Sequence, residues 1–504
     1  MPVDPRAPCL IGVGHRTWHP ADVGPDGAPE PLEMWEAVAR QAADDAGAPA
    51  APEQLGQLRV VYCQAWQYDD PSGRLADRLG AEPADAAYSG IGGTVPLLLV
   101  SEAARAIAKG DLDLGLVVGA EALATRRRMG KEGRKPEWSH PPAEQPPFPY
   151  DAPFHPAEVA HSIFHAYLTF ALFDNARRGH LGVGLERYRE QIGASLSAMS
   201  AVAAANPEAW FPLRRSVDEI ITVGPSNRMV AYPYTKLMTS IMDVDMAAAV
   251  LIASHERADA LGVPADRRVY LRGAAYALDP VYVAERRELW RSPAMRAGSR
   301  MALDAAGVSV DDVAHLDLYS CFGSSISFAR DALGLGDDPG RSVTVTGGLP
   351  YHGGPGSNYT THSIAVMAER LREDPGSFGL VGGVGMHMTK HAYGLWSTDP
   401  PADLGFLVGS GAGDAQPATD RDLEVAPIVE RASGRATVAT YSVLHGGGGA
   451  AEWGALVCDL PDASRCYGRM EDPEALASIE HDELIGRPVT LETNEAGVNI
   501  ARLA

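Results

Sequence analysis

The sequence predicts an α/β protein of two repeated halves, followed by a small C-terminal all-β domain. Three observations carry this. Residues 34–99 and 294–365 run through one series: a helical stretch, a short apolar strand, then a glycine turn that launches another helix. A Pro-rich stretch followed by helical patterns interrupts the first half. Beyond residue 425 the pattern changes to short strands divided by Gly and Asp turns.

Taken in order, residues 10–14 read as an opening strand. Apolar residues at helical spacing make 34–46 a helix, stopped at Asp45-Ala46-Gly47, and Ala305-Ala306-Gly307 stops its counterpart. The strand at 58–62 is matched by 315–319. Gly90-Ile91-Gly92-Gly93-Thr94 and Gly353-Gly354-Pro355-Gly356 are the paired turns. The long apolar helix at 95–108 suits burial between two layers, and 114–119 reads as a fully buried strand. Prolines at 136, 141, 142, 146, 147, 149, 153 and 156 then lead into helices around 159–177 and 185–205, an insertion of about 122–215 of the kind that covers a site. A strand at 247–253 closes the first half. The expected domains are 1–262, 263–400, a Pro/Gly/Asp-rich linker at 401–424, and a β domain at 425–504. Strands at 434–441, 454–458 and 488–493 suggest an oligonucleotide/oligosaccharide-binding-type barrel, a label for architecture alone.

Length and composition narrow the function. With 504 residues, 45% hydrophobic and 21% charged, the chain has the makeup of a globular enzyme of two or three domains. Its net charge of −22 argues against nucleic acid and anionic membranes as partners. Five cysteines without a CxxC pair suit a reducing compartment. No basic-then-apolar leader and no run of about eighteen apolar residues is present, so a cytoplasmic protein without a membrane span is expected.

Leu10-Ile11-Gly12-Val13-Gly14, Lys109-Gly110-Asp111, Leu116-Val117-Val118-Gly119-Ala120-Glu121 and Asp245-Met246-Ala247-Ala248-Ala249 are joined by the loops at 317–328, 346–361 and 380–394. In this order, over residues 8–397, these strings resemble the thiolase superfamily. Trp210-Phe211-Pro212, the run Asn227-Arg228-Met229-Val230-Ala231-Tyr232-Pro233-Tyr234-Thr235-Lys236-Leu237-Met238 and the added β domain narrow the match. They are similar to acetyl-CoA acetyltransferase-like proteins related to the sterol-carrier-protein thiolases. The resemblance implies a five-layered αβαβα sandwich, coenzyme A thioesters as substrate or ligand with no tightly bound cofactor, and a homodimer paired beside the first catalytic helix.

Thiolase chemistry needs a cysteine nucleophile, a histidine base, a second cysteine for proton transfer and an Asn or His near the thioester oxygen. By the resemblance these positions fall on Gly93, Gly354, Val381 and Tyr319. Glycine and valine can neither attack nor carry a proton, so ordinary thiolase turnover is not expected. Tyr319 keeps a phenol able to donate or accept a proton. His352 lies two residues before the vacant base position and points either into the cavity or away from it. Backbone donors at Gly93, Thr94, Gly354, Gly383 and Gly385 would still hold a thioester oxygen. Cys321 reads as an inert thiol, although Cys321 and Cys63 are the fallback nucleophiles. His387, Lys390 and His391 follow the vacant second-cysteine loop. His161 and His165 have helical i, i+4 spacing without the third group of a metal motif, so no metal is expected. The expected function is acyl-CoA binding, with a C–C bond made or broken next to the thioester without a cysteine nucleophile. The alternatives are a non-catalytic acyl-CoA-binding protein and an aldolase-like lyase acting on β-hydroxyacyl-CoA.

Overall fold

A computed structural model describes residues 2–149, 154–336, 340–411 and 413–503; Pro153 of the Pro-rich stretch lies outside them. The first half contributes five strands in the order Asp85–Tyr88, Gln57–Val60, Leu114–Ala122, Asp245–Ser254 and Pro8–Thr17. The second contributes Val269–Leu278, Lys390–Ser397, Phe378–Gly385 and Val313–Asp317. Among the described residues the two sets are hydrogen-bonded to each other through the short pairing of Cys9 and Leu10 with Tyr270 and Val269, so they behave as two sheets joined at a corner.

Helices Val95–Lys109 and Tyr359–Glu373 lie between the sheets and contact each other and strands of both halves. Helix Pro31–Asp45 covers the outer face of the first sheet and Pro293–Ala306 that of the second, completing five layers. The duplication extends to single contacts. A Cβ on Gly12 would lie 1.9 Å from the Ala42 carbonyl oxygen, and one on Gly273 would lie 2.0 Å from that of Ala302. Both glycines therefore let an outer helix rest directly on its strand.

The insertion is more broken than its periodicity suggests. The helix expected at 159–177 divides into Pro156–Ala160 and Ala166–Leu181. Ser162, with φ +59°, lies in the break, and the His161 ring leaves the helix pattern to accept the Asn499 amide at 2.9 Å. Ala166–Leu181 packs between the Gly323–Leu333 helix and the Gly434–His445 strand.

The C-terminal domain is a five-stranded closed barrel. Its order is Gly434–His445, Ala451–Asp459, Arg465–Met470, Asn499–Leu503 and Pro488–Thr493, which pairs back to the first. Helix Pro473–Ile479 lies in the connection from Arg465–Met470 to Pro488–Thr493, as in an oligonucleotide/oligosaccharide-binding-type barrel. The Met229–Ala231 strand extends the barrel sheet, with Tyr232 N–H donating to the Val443 carbonyl at 2.9 Å. The preceding connection is laid on the molecule: Gly405–Val408 rests on Val95–Lys109, Gln416–Arg421 rests on Pro293–Ala306, and Asp422 pairs with Arg291 at 2.6 Å. No helix among the described residues is long and apolar enough to cross a membrane.

Candidate functional site

A cleft of about 340 Å³ opens where the two halves, the insertion and the barrel-linked hairpin meet. Gly93 and Tyr319 face it from the two halves, Gly354 from the turn of the second, Phe170 from the insertion and Val230 from the hairpin. Phe322, Leu349, Val384, Met242 and Met386 make most of the remaining wall apolar.

Tyr319 leaves the Val313–Asp317 strand and crosses to the first half. A Cβ on Gly93 would lie 2.3 Å from its hydroxyl oxygen and 2.4 Å from the Val384 carbonyl oxygen. No side chain fits at position 93 beside this ring. The Tyr319 hydroxyl has no hydrogen-bond partner among the described residues. Burial, with the nearby Cys321 adding to it, pushes the phenol well above its ordinary range. It is therefore a neutral O–H donor at physiological pH. The amides of Gly93 and Thr94, which precede the Val95–Lys109 helix, also lack a protein acceptor among the described residues. The Gly93 carbonyl, in contrast, accepts from Thr360 at 3.0 Å.

The opposite wall repeats the exchange. A Cβ on Gly354 would lie 2.5 Å from the Ser240 hydroxyl oxygen. Cys321 also lines the cleft, its thiol pushed up to about 12 by burial, so it is a protonated thiol there and no thiolate nucleophile.

Other candidates sit elsewhere. Among the strand residues near the former second-cysteine loop, Val384 borders the cleft, whereas Val381 lies three positions earlier in the core. Gly383 and Gly385 pack against Gly93 and Thr94 from behind, and Thr94 is itself buried. His352 points into a sealed pocket with His362 and Tyr359, at ring-centre separations of 5.4 Å and 6.0 Å. Burial, with His15 nearby, pushes it down to about 3. His391 is buried on Asp279 at 3.0 Å, and His387 meets the Thr169 hydroxyl at 2.7 Å. Cys63 is buried beside Glu121, away from the cleft. No group of three His, Cys, Asp or Glu among the described residues could hold a metal ion.

The chain aligns over its full length with the whole of a monomeric SCP2-thiolase like protein type 1 from Mycobacterium smegmatis, at 32% identity and a TM-score of 0.85. The chain belongs to the thiolase superfamily. An acetyl-CoA acetyltransferase from Methanothermobacter thermautotrophicus is 26% identical over 203 residues, which are 37% of this chain and 51% of that protein. The match thus spans about half the length of that curated relative. The Ltp2-ChsH2(DUF35) aldolase shares the fold at 16% identity and a TM-score of 0.59, over 78% of this chain and 98% of that one. No family model matches the chain. Within this thiolase fold, the sequence named Gly93, Tyr319 and Gly354 and placed Phe322 in the 317–328 loop, but gave no sign of Ser240 or Phe170. Ser240 lies just past the Asn227–Met238 string, and nothing in its own neighbourhood marks it.

Proposed function

We propose that this thiolase-superfamily protein binds an acyl-CoA thioester in the cleft and makes or breaks a C–C bond beside the thioester without a covalent acyl-cysteine. The observation that carries this reading is the Tyr319 phenol standing, without a protein partner, where a side chain at position 93 would be. The thioester oxygen would take the free amides of Gly93 and Thr94, whose donors stabilise an enolate in a water-poor site. In cleavage the Tyr319 oxygen would have to enter as phenolate, against the burial that favours its neutral form, take the β-hydroxyl proton as the C–C bond breaks and return that proton to the α carbon of the enolate; condensation would run the same transfer in reverse. Neither Val384 nor Gly354 can transfer protons, so the chemistry rests on the phenol. His352, sealed away from the cleft, takes no part. A homodimer is part of the proposal: among the described residues the edge strand Asp85–Tyr88 pairs with Gln57–Val60 alone and offers its outer side.

The test is mass-spectrometric turnover of a panel of β-ketoacyl-CoA and β-hydroxyacyl-CoA substrates, with and without free CoA. Cleavage independent of CoA and lost about 100-fold or more in Tyr319→Phe, at nearly unchanged acyl-CoA affinity, is the expected result. Cleavage that consumes CoA would restore a covalent thiolase mechanism. Retention of acyl-CoA with no product would leave a binding protein.

A further inference from the structure

Resting on the reading of the cleft as an acyl-thioester site, we propose that Asp174 is a positioning residue. Through Tyr234 and Ser324 it clamps the insertion to the second half and holds Phe170 and Phe322, the aromatic wall against which the acyl chain packs. Asp174 and Phe170 stand four positions apart on helix Ala166–Leu181 and so share a face. Phe170 lines the cleft, and Asp174, one turn on, is wholly buried. Two phenols from different segments donate to its carboxylate. Tyr188, on helix Leu185–Ala203, does so at 2.7 Å, and Tyr234 donates to the other oxygen. The Tyr234 oxygen in turn accepts the Ser324 amide at 3.2 Å, and the Ser324 hydroxyl donates to the Phe170 carbonyl at 2.9 Å.

These bonds close a ring from the insertion through the 227–238 run to the second half and back. Ser324 opens helix Gly323–Leu333 just after Phe322, and a Cβ on Gly323 would lie 2.7 Å from the Asp174 carboxylate. The Phe170 and Phe322 rings end the ring of bonds with centres 4.8 Å apart, and Tyr234 stacks on Phe322 at 5.6 Å. Among the described residues no cation bonds to Asp174. Arg177, on the same helix, pairs with Asp331 at 2.6 Å and donates to the Tyr188 hydroxyl at 3.3 Å. Burial therefore pushes the Asp174 carboxyl up to about 6; the Asp331 charge adds to this, and the two phenols and Arg177 oppose it. An apolar side chain would fill this site at less cost, whereas the carboxylate fixes two phenols in one geometry.

The experiment joins hydrogen exchange of the full chain without ligand to isothermal titration with acetyl-CoA and octanoyl-CoA, which carry the same charges and differ in the chain alone. Asp174→Asn, which leaves one phenol without its acceptor, should speed exchange about tenfold in the peptides carrying Phe170 and Phe322 and leave helix Val95–Lys109 unchanged. It should also narrow the wild-type preference for octanoyl-CoA about five- to tenfold, as for one or two methylenes losing their wall. Wild type should lose the same preference as the pH falls through about 6, and Asp174→Asn should not. Tyr234→Phe, which cuts the link and keeps the ring, should match Asp174→Asn in exchange and in preference above that pH. Uniformly faster exchange, no wild-type preference, or an unchanged preference in both variants would overturn the role of Asp174 and leave the acyl-CoA reading standing. Failure of wild type to bind either thioester would overturn that reading by itself, and the exchange pattern would still decide whether Asp174 holds the two phenylalanines.

Discussion

The two halves repeat a strand, a glycine turn and a central helix, yet they treat the turn in opposite ways. Before Val95–Lys109 the amides of Gly93 and Thr94 are left without protein acceptors and Gly93 borders the cleft. Before Tyr359–Glu373 the polar groups are absorbed. Asp317, fully buried, accepts from the amides of Val345 and Thr346 and from the hydroxyls of Thr344, Thr346, Tyr359 and Ser363, all at 2.9–3.1 Å. Duplication explains the shared architecture. Both turns border the cleft, but in the second the Gly354 and Gly356 amides are taken by the Ile241 and Gly354 carbonyls, so of these amides it is those of the first turn that are left for a ligand; an unpaired buried donor costs stability unless something occupies it.

The sharpest way to break this comparison is Asp317→Ala, which removes the acceptor of six donors in the core of the second half and leaves the Val345 and Thr346 amides without it. A loss of about 3–5 kcal/mol in urea unfolding is expected, with collapse of the wall that carries Tyr319. Next is Gly93→Cys, which returns a nucleophile to the first half. The Tyr319 ring and the Val384 carbonyl leave it no room, so a loss of about 1–3 kcal/mol is expected, together with no gain of CoA-dependent cleavage. Recovery of thiolase turnover in that variant would show that the cleft wall yields.

A third prediction separates the open cleft from the sealed pocket beside it. His352, pushed down to about 3 by burial, and His362, pushed well below its ordinary range, stay neutral in the folded chain. The unfolded chain binds these protons near pH 6.5, so stability falls as the pH drops from about 6.5 towards 3. The slope from each histidine approaches about 1.4 kcal/mol per pH unit. His15 works in the other direction: Glu369 at 3.1 Å raises it, so its contribution is present at low pH and fades as the pH rises through its folded value. Replacing His352 by Leu should flatten the acid limb of the Tm against pH curve by one proton. The smallest effect belongs to the cleft: Tyr319→Phe removes a hydroxyl with no protein partner and should alter stability by less than about 0.5 kcal/mol. A larger loss would mean that the phenol is structural.

Much of this was legible in the chain. The glycine turns, the buried strands and the long central helix carry their own signals, because local periodicity reports burial directly. The third and fifth barrel strands did not show. Arg465–Met470 is almost entirely buried, so it lacks the alternation of a half-exposed strand, and Asn499–Leu503 is only five residues long. His352 illustrates the same limit within the site. Two residues from Gly354, it turns to the far side of the loop, and sequence spacing in a non-repeating segment does not report a face. Val384 rather than Val381 borders the cleft because both lie in strand Phe378–Gly385 and residues three apart face opposite sides of a strand.

The sequence by itself determined that position 93 bears no nucleophile and position 354 no base, because glycine lacks a side chain in any fold. It also determined the duplicated layering, since the pattern of apolar residues is local. Tertiary structure alone decided what fills the vacated space. Tyr319 reaches Gly93 from 226 positions away and Ser240 reaches Gly354 from 114, and such contacts exist only once both halves have packed. The free amides, the unpaired hydroxyls and the sealed histidines are consequences of that packing, because burial and hydrogen-bond partners are properties of neighbours in space.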